Sequence, residues 1–274
     1  MPIIGKHAIV NGEIVDAAQA VLPVQDKELQ YGFGVYESLR VIQGRVIYVE
    51  DHISRLFYSA KGIDLRHSYT AEQVTAWLLE LIEYDAIEEA TIRILLVGGI
   101  RARLFITAAP LLSYPQSFYS EGVKAIAYQG ERYLPQYKTC SLLMNYIALR
   151  EASVHSAFEA LLVDQRGLVL EGTRSNVFAC EGSTVYTAPV SMVLEGVTRD
   201  KIIKAIGQLG YKLVLEAPSL EDLIDGRYNE LCISSTSMGA MPISTLNEYV
   251  FSPNFVVTPA IHALIRQWEI DALH

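Results

Sequence analysis

Two tight turns constrain this chain more than any other feature. Asn11-Gly12 separates two apolar runs in AIVNGEIVDA, and Gln43-Gly44 divides VYESLRVIQGRVIYVEDH in the same way. Dipeptides of this kind between apolar stretches mark antiparallel hairpins. The segment HISRLFYSAKGI then has helical spacing, with Ile53, Leu56 and Phe57 on one face. Thr70 and Gln73 form a capping box ahead of Val74, Trp77, Leu78, Leu81 and Ile82. ATIRILLVGG and RLFITAA read as two buried strands joined through residues 98–103.

Residues 110–122, PLLSYPQSFYSEG, break both periodicities. Beyond them the pattern restarts with a strand at VKAIAY and a helix from about Ser141 to His155. Strands follow at EALLVD, LVLE, SNVFACEG, TVYTAP and ELCISST, with a helix at the stretch LEGVTRDKIIKAIGQLG. Thr258-Pro259 reads as the cap and first position of a closing helix. Strands that arrive in hairpin-linked groups, not in strict βαβ alternation, predict an α+β fold of two domains. The expected division is a smaller N-terminal α/β domain over 1–114, a linker over 115–122, and a larger C-terminal domain over 123–274.

Composition excludes several classes. At 51% hydrophobic and 19% charged residues the chain is an ordered globular protein. Acidic residues outnumber basic ones, 31 to 22, and no basic run tracks a nucleic acid backbone. There is no charged leader with a long apolar core and no window of eighteen apolar residues, so a cytoplasmic protein without membrane spans is expected. Cys140, Cys180 and Cys232 form no metal-ligand spacing, and buried structural thiols are expected in place of a metal site.

Five local features carry chemistry. The helix opening on Gly196-Val197-Thr198-Arg199 offers uncommitted backbone amides and a positive dipole end to an anion, or is an ordinary start capped by Thr198. SSTSMGAMP ends a strand with Ser234, Ser235, Thr236 and Ser237, a run of hydroxyls that serves an oxyanion or a polar turn. His52 and Arg55 share a helix face, where Arg55 is a bidentate clamp or pairs with Glu50 or Asp51. Glu171 closes an apolar strand before a Thr-Arg-Ser-Asn turn, where a buried carboxylate needs a cationic partner: a pyridinium nitrogen, Arg174 or another arginine. Lys138 stands apart from the other lysines: it directly precedes the largely apolar run 140–144, a setting for an amine that attacks carbonyls or for one that snorkels to water.

Taken in order, Lys138, Glu171-Gly-Thr-x-Ser-Asn, Gly196-Val-Thr-Arg and Ser234-Ser-Thr resemble the fold-type IV pyridoxal-phosphate enzymes, the class IV aminotransferases. YGFGVYESLR and DHISRL match the family's N-terminal segments, so the resemblance spans nearly the whole chain. It implies a D-amino-acid aminotransferase-like fold with pyridoxal 5'-phosphate between the domains and a homodimer completing the site. Lys138 becomes the catalytic lysine that carries the cofactor, and Glu171 the partner of the pyridine nitrogen. Arg55, the amides of Val197 and Thr198, and Thr236 would hold the phosphate, Leu194 would pack on the ring, and Ser175 and Asn176 belong to the same cofactor set.

The implied reaction moves an amino group between an aliphatic amino acid and a 2-oxo acid, by a ping-pong cycle. Substrate class divides the subfamilies. Tyr31, Tyr36, Arg40 and Arg93 resemble the pocket of the branched-chain enzymes, although Thr91 stands where those have a tyrosine and Leu142-Leu143 replaces a glycine-rich segment. The D-amino-acid enzymes place an arginine where this chain has Gly98-Gly99, a role open to Arg101 or Arg103. Ser237 completes the substrate set. Branched-chain substrates are expected, with D-amino-acid transamination as the alternative. Aminodeoxychorismate lyase, a β-elimination releasing pyruvate, is a further one, which Cys140 and Ser141 do not support.

Overall fold

The computed structural model describes residues 4–273. The chain divides into two compact units, one of residues 4–112, 137–142 and 273, the other of 113–136 and 143–272.

The first unit contains β1 (His7–Val10), β2 (Glu13–Asp16), α1 (Lys27–Gln30), β3 (Gly34–Ile42), β4 (Arg45–Val46), α2 (Val49–Gly62), α3 (Ala71–Tyr84), β5 (Ala90–Val97) and β6 (Arg103–Ala109). Its six strands form an antiparallel sheet in the order β2-β1-β6-β5-β3-β4. Both expected hairpins are present, with Asn11 and Gln43 at positive φ as their turns require. The capping box forms as read: Gln73 N donates to Thr70 Oγ1 and Thr70 N to Gln73 Oε1. β3 buries alternate residues, Val35, Glu37, Leu39 and Val41, and its apolar inward residues join Leu56, Leu78, Leu81, Ile92, Ile94 and Ile106 in one core. The other face carries Tyr36, Ser38 and Arg40, aligned across β5 with Leu95, Arg93 and Thr91.

The second unit contains α4 (Ser117–Ser120), β7 (Val123–Gln129), α5 (Leu143–Val154), β8 (Glu159–Val163), β9 (Val169–Gly172), β10 (Asn176–Glu181), β11 (Thr184–Tyr186), α6 (Val197–Gln208), β12 (Lys212–Val214), α7 (Leu220–Ile224), β13 (Glu230–Ser235), β14 (Gly239–Leu246), β15 (Tyr249–Val250) and α8 (Val257–Asp271). Its nine strands run β12-β11-β10-β13-β14-β7-β8-β9, with β15 on β14, and a further β9–β10 pairing returns the path on itself. Helices α6 and α8 cover the side holding Phe178, Cys180 and Cys232.

Three local expectations change. The expected division at 115–122 puts Lys138 in the second domain, whereas residues 137–142 pack in the first unit. The cause is backbone pairing: Tyr36 N donates to the Lys138 carbonyl at 3.1 Å and Cys140 N to the Gly34 carbonyl at 2.8 Å, so this stretch extends the edge of β3. Thr258 does not cap α8. That helix begins two residues earlier, at Val257 and not Pro259, and the Glu230 carboxylate, reaching from β13, accepts from the amides of Val256, Val257 and Thr258 and from Thr258 Oγ1. Thr198 likewise lies inside α6, whose N-cap is Gly196.

Candidate active site

The first unit presents an amine on the outward face of its sheet. Because Lys138 pairs opposite Tyr36, its side chain emerges beside that ring, with Nζ 4.5 Å from the ring centroid. The Arg93 guanidinium lies 5.7 Å from the same centroid. Arg40 and Arg103 emerge on this face as well, since both fall in phase with Arg93 along their strands. Arg103 is paired with Asp26, and Arg101 is exposed in the β5–β6 loop. Tyr31, by contrast, is 80% exposed. Cys140 shares the lysine's edge, and burial pushes its thiol up to about 11, which leaves it protonated and unreactive.

Beneath the sheet, α2 holds the lysine segment and the arginine together. Ser59 Oγ accepts from Lys138 N at 3.0 Å. Arg55 donates to Glu37 through Nε and Nη2 at 2.7 and 2.8 Å, and His52 Nδ1 meets the same carboxylate at 2.7 Å. Burial alone would raise the Glu37 carboxyl, but the Arg55 fork and His52 hold it well below the usual carboxylate range. His52 is pushed down chiefly by its own burial, which keeps the imidazole neutral. Glu37 was not among the residues read from the sequence. Its signal was there, since an acid in phase with Val35, Leu39 and Val41 sits on the core face of a strand.

The second unit presents an acid and a helix start. Glu171, the penultimate residue of β9, is at 4% exposure, with Arg132 Nη1 at 3.5 Å and Leu194 N donating to its Oε2 at 3.3 Å. Arg174 instead lies 3.7 Å from Glu159, so the cation near Glu171 is one the sequence reading left unnamed. Asn176 Nδ2 donates to the Leu194 carbonyl at 2.9 Å and so fixes the stretch leading into α6. Gly196 caps that helix with no side-chain hydrogen bond, which leaves the first-turn amides of Val197 and Thr198 to another acceptor. A Cβ on Gly196 would stand 2.2 Å from Asn176 Oδ1, so only glycine fits this approach.

Thr236 occupies the β13–β14 turn, and Ser237 Oγ lies 3.3 Å from both Tyr114 Oη and Ser235 Oγ. Ser234 Oγ, at the end of β13, is buried without a hydrogen-bond partner among the described residues. Ser175 is engaged differently: its Oγ donates to Glu159 Oε2 at 3.0 Å, behind the turn that carries Glu171.

A family model described as "Amino-transferase class IV" matches residues 34–246. The chain is 28% identical over 251 residues to D-alanine aminotransferase of Bacillus licheniformis, covering 87% of this chain and 88% of that one. It is 31% identical over 255 residues to D-alanine aminotransferase of Staphylococcus epidermidis, with 87% and 88% covered. Among solved structures, the branched-chain aminotransferase of Thermoproteus uzoniensis with norvaline superimposes with a TM-score of 0.90 at 26% identity, covering 97% of this chain and 95% of that one.

Proposed function

We infer the substrate and the residue roles from one premise: the chain belongs to the class IV aminotransferases, and it is a pyridoxal-phosphate enzyme that transfers an amino group between an amino acid and a 2-oxo acid. The residues present fit that cofactor. Uncapped amides at a glycine-started helix suit a phosphate, and a buried carboxylate suits a protonated ring nitrogen. When bound, the cofactor supplies a carbonyl carbon that receives the amino group and an electron-withdrawing ring.

In this reading Lys138 holds the cofactor through Nζ and, once a substrate amine displaces it, takes the proton from the substrate's Cα at that same atom. Glu171 keeps the ring nitrogen protonated, with Arg132 beside it at 3.5 Å. Val197 N, Thr198 N, the hydroxyls of Thr198 and Thr236, and Arg55 hold the phosphate. Leu194, fixed by Asn176, packs on the ring.

The substrate assignment rests on Tyr36, whose ring is flanked by the Lys138 amine at 4.5 Å and the Arg93 guanidinium at 5.7 Å. A proton acceptor and a carboxylate-binding cation beside one aromatic ring are the parts needed to seat an α-amino acid, with Arg40 on the same face of the sheet as a second cation. Phe105 and Leu95, cross-strand partners, extend the face with apolar surface for an aliphatic side chain. We therefore favour branched-chain L-amino acids, in two half-reactions of ping-pong type, by a cytoplasmic homodimer.

Stopped-flow half-reactions with L-leucine, L-isoleucine, D-alanine and D-glutamate test this directly, alongside sedimentation of the holoenzyme. The fastest loss of the visible cofactor band is expected with a branched-chain L-substrate. A D-substrate reacting faster overturns the assignment and supports the second reading, which the two D-alanine aminotransferase relatives favour. Lys138→Ala is expected to abolish transfer and the borohydride-reducible attachment of cofactor.

A further inference from the structure

β3 carries an acid where its pattern calls for an apolar residue. Val35, Leu39 and Val41 are fully buried, and Glu37 between them is at 0% exposure. Three donors meet the carboxylate: Arg55 Nε at 2.7 Å, Arg55 Nη2 at 2.8 Å and His52 Nδ1 at 2.7 Å. A buried cluster of this kind adds little net stability over apolar side chains of equal volume, because desolvation offsets the Coulombic gain. What it does achieve is geometry. The side chains of Glu37 and His52 are at 0% exposure and that of Arg55 at 10%, so the guanidinium is the outermost member and is held from beneath. A two-point fork admits one orientation of the guanidinium plane.

His52 reinforces the fork. An ionised carboxylate can only accept, so Nδ1 is the donor, and the neutral ring adds no charge beside the arginine. His52, Arg55 and Ser59 lie three and four residues apart on one face of α2, and Ser59 fixes the Lys138 backbone. One rigid helix therefore seats both the lysine segment and the arginine head.

We propose that Glu37 is a positioning residue for the cofactor, fixing the plane of the Arg55 guanidinium so that it receives the phosphate. This rests on the reading above that Arg55 binds that phosphate. Charge and positioning predict opposite signs. A carboxylate beside a phosphate-binding arginine repels the phosphate, so removing its charge would tighten binding if charge alone mattered. Loss of positioning weakens it.

Dissociation constants of pyridoxal phosphate and of pyridoxal, which lacks the phosphate, are measured for the full-length wild type, Arg55→Lys, Glu37→Gln and Glu37→Asp, each with its urea midpoint. The wild type is expected to prefer the phosphorylated form. Both Glu37 variants are expected to lower that preference by about tenfold or more, the worth of one charged hydrogen bond, with pyridoxal affinity unchanged. An unchanged or increased preference overturns the proposal, as does an equal loss of both ligands, which would make Glu37 a fold-maintaining residue. Arg55→Lys leaving the preference intact would show instead that the phosphate role of Arg55 fails. Should Glu37→Gln not fold, Glu37→Asp keeps the charge, shortens the arm and decides the question.

Discussion

Glu171 and Asn176 face each other across the β9–β10 pair. The turn between them brings the acid proposed for the ring nitrogen beside the asparagine that fixes Leu194 and the approach to α6. Gly172 N donates to the Ser175 carbonyl at 2.7 Å, and Gly172 has no room for a Cβ, which would stand 2.1 Å from Ser175 Oγ. Behind the turn lies Glu159, fully buried, accepting from Ala160 N, Thr173 N, Thr173 Oγ1 and Ser175 Oγ.

Glu159→Leu leaves those donors without an acceptor in a dry site. The expected loss is about 3–5 kcal/mol of stability, read as a lowered urea midpoint, because removing one member of a buried polar network strands the rest. Glu159→Gln retains one acceptor oxygen and should lose less. A Leu variant as stable as the wild type would mean that the turn is held by its backbone alone.

Tyr36 separates chemistry from folding. Its ring lies on the outward face of β3, clear of the inward core, and meets Lys138 and Arg93. Tyr36→Leu should slow the first half-reaction by about tenfold, as expected when cation–π contacts worth about 1 kcal/mol each are lost. Stability should change by less than about 1 kcal/mol. Tyr36→Phe should retain most of the rate. Single-turnover kinetics beside urea denaturation measure both, and a matched loss of rate and stability would assign the ring to packing.

Much of the fold that carries the candidate site was legible because its signals are local. The hairpin turns, the capping box at Thr70 and Gln73, and the glycine at the start of α6 each follow from a few adjacent residues. What was not legible depends on partners distant in sequence. Lys138 joins the edge of β3 through a pairing of Val35 with Thr139. The cap of α8 comes from Glu230, so the local Thr-Pro rule pointed to the wrong start. β14 was missed because Gly239 and Pro242 argue against a strand, yet Pro242 pairs in register with Cys232. Arg132 lies in a segment without periodicity, and only the fold brings it to Glu171.

His52 gives the fold a pH dependence of known sign. Its folded pKa is lowered from the ordinary 6.5, mainly by burial, with Glu37 opposing and Arg55 and Lys138 adding to the shift. Below about pH 6.5 the unfolded chain binds a proton that the folded state refuses, so stability falls on acidification until the folded pKa is reached. The slope from this group is at most about 1.4 kcal/mol per pH unit. His52→Gln removes it while keeping a donor for Glu37. The gap between wild-type and variant urea midpoints should therefore narrow from pH 7.5 to pH 5.5. His67, also lowered by burial, is present in both chains and cancels. A gap that stays constant would mean that His52 titrates alike in the folded and unfolded chain, and a gap that widens would mean that it is charged in the fold.

Two variants at the start of α6 separate side-chain from backbone recognition of the phosphate in the proposed site. Thr198→Val removes one hydroxyl donor and keeps every amide, at a half-buried position inside the first turn. Cofactor affinity should fall by about tenfold or more, the worth of one charged hydrogen bond, while the urea midpoint of the cofactor-free chain barely moves. Gly196→Ala acts on the backbone instead. Its Cβ would displace Asn176 Oδ1, and with it the amide that holds the Leu194 carbonyl, so affinity and stability should fall together, stability by about 1–3 kcal/mol. If Thr198→Val lowers stability as much as affinity, the hydroxyl serves the helix and not the ligand. If Gly196→Ala leaves affinity intact, the amides of Val197 and Thr198 are not where the phosphate binds.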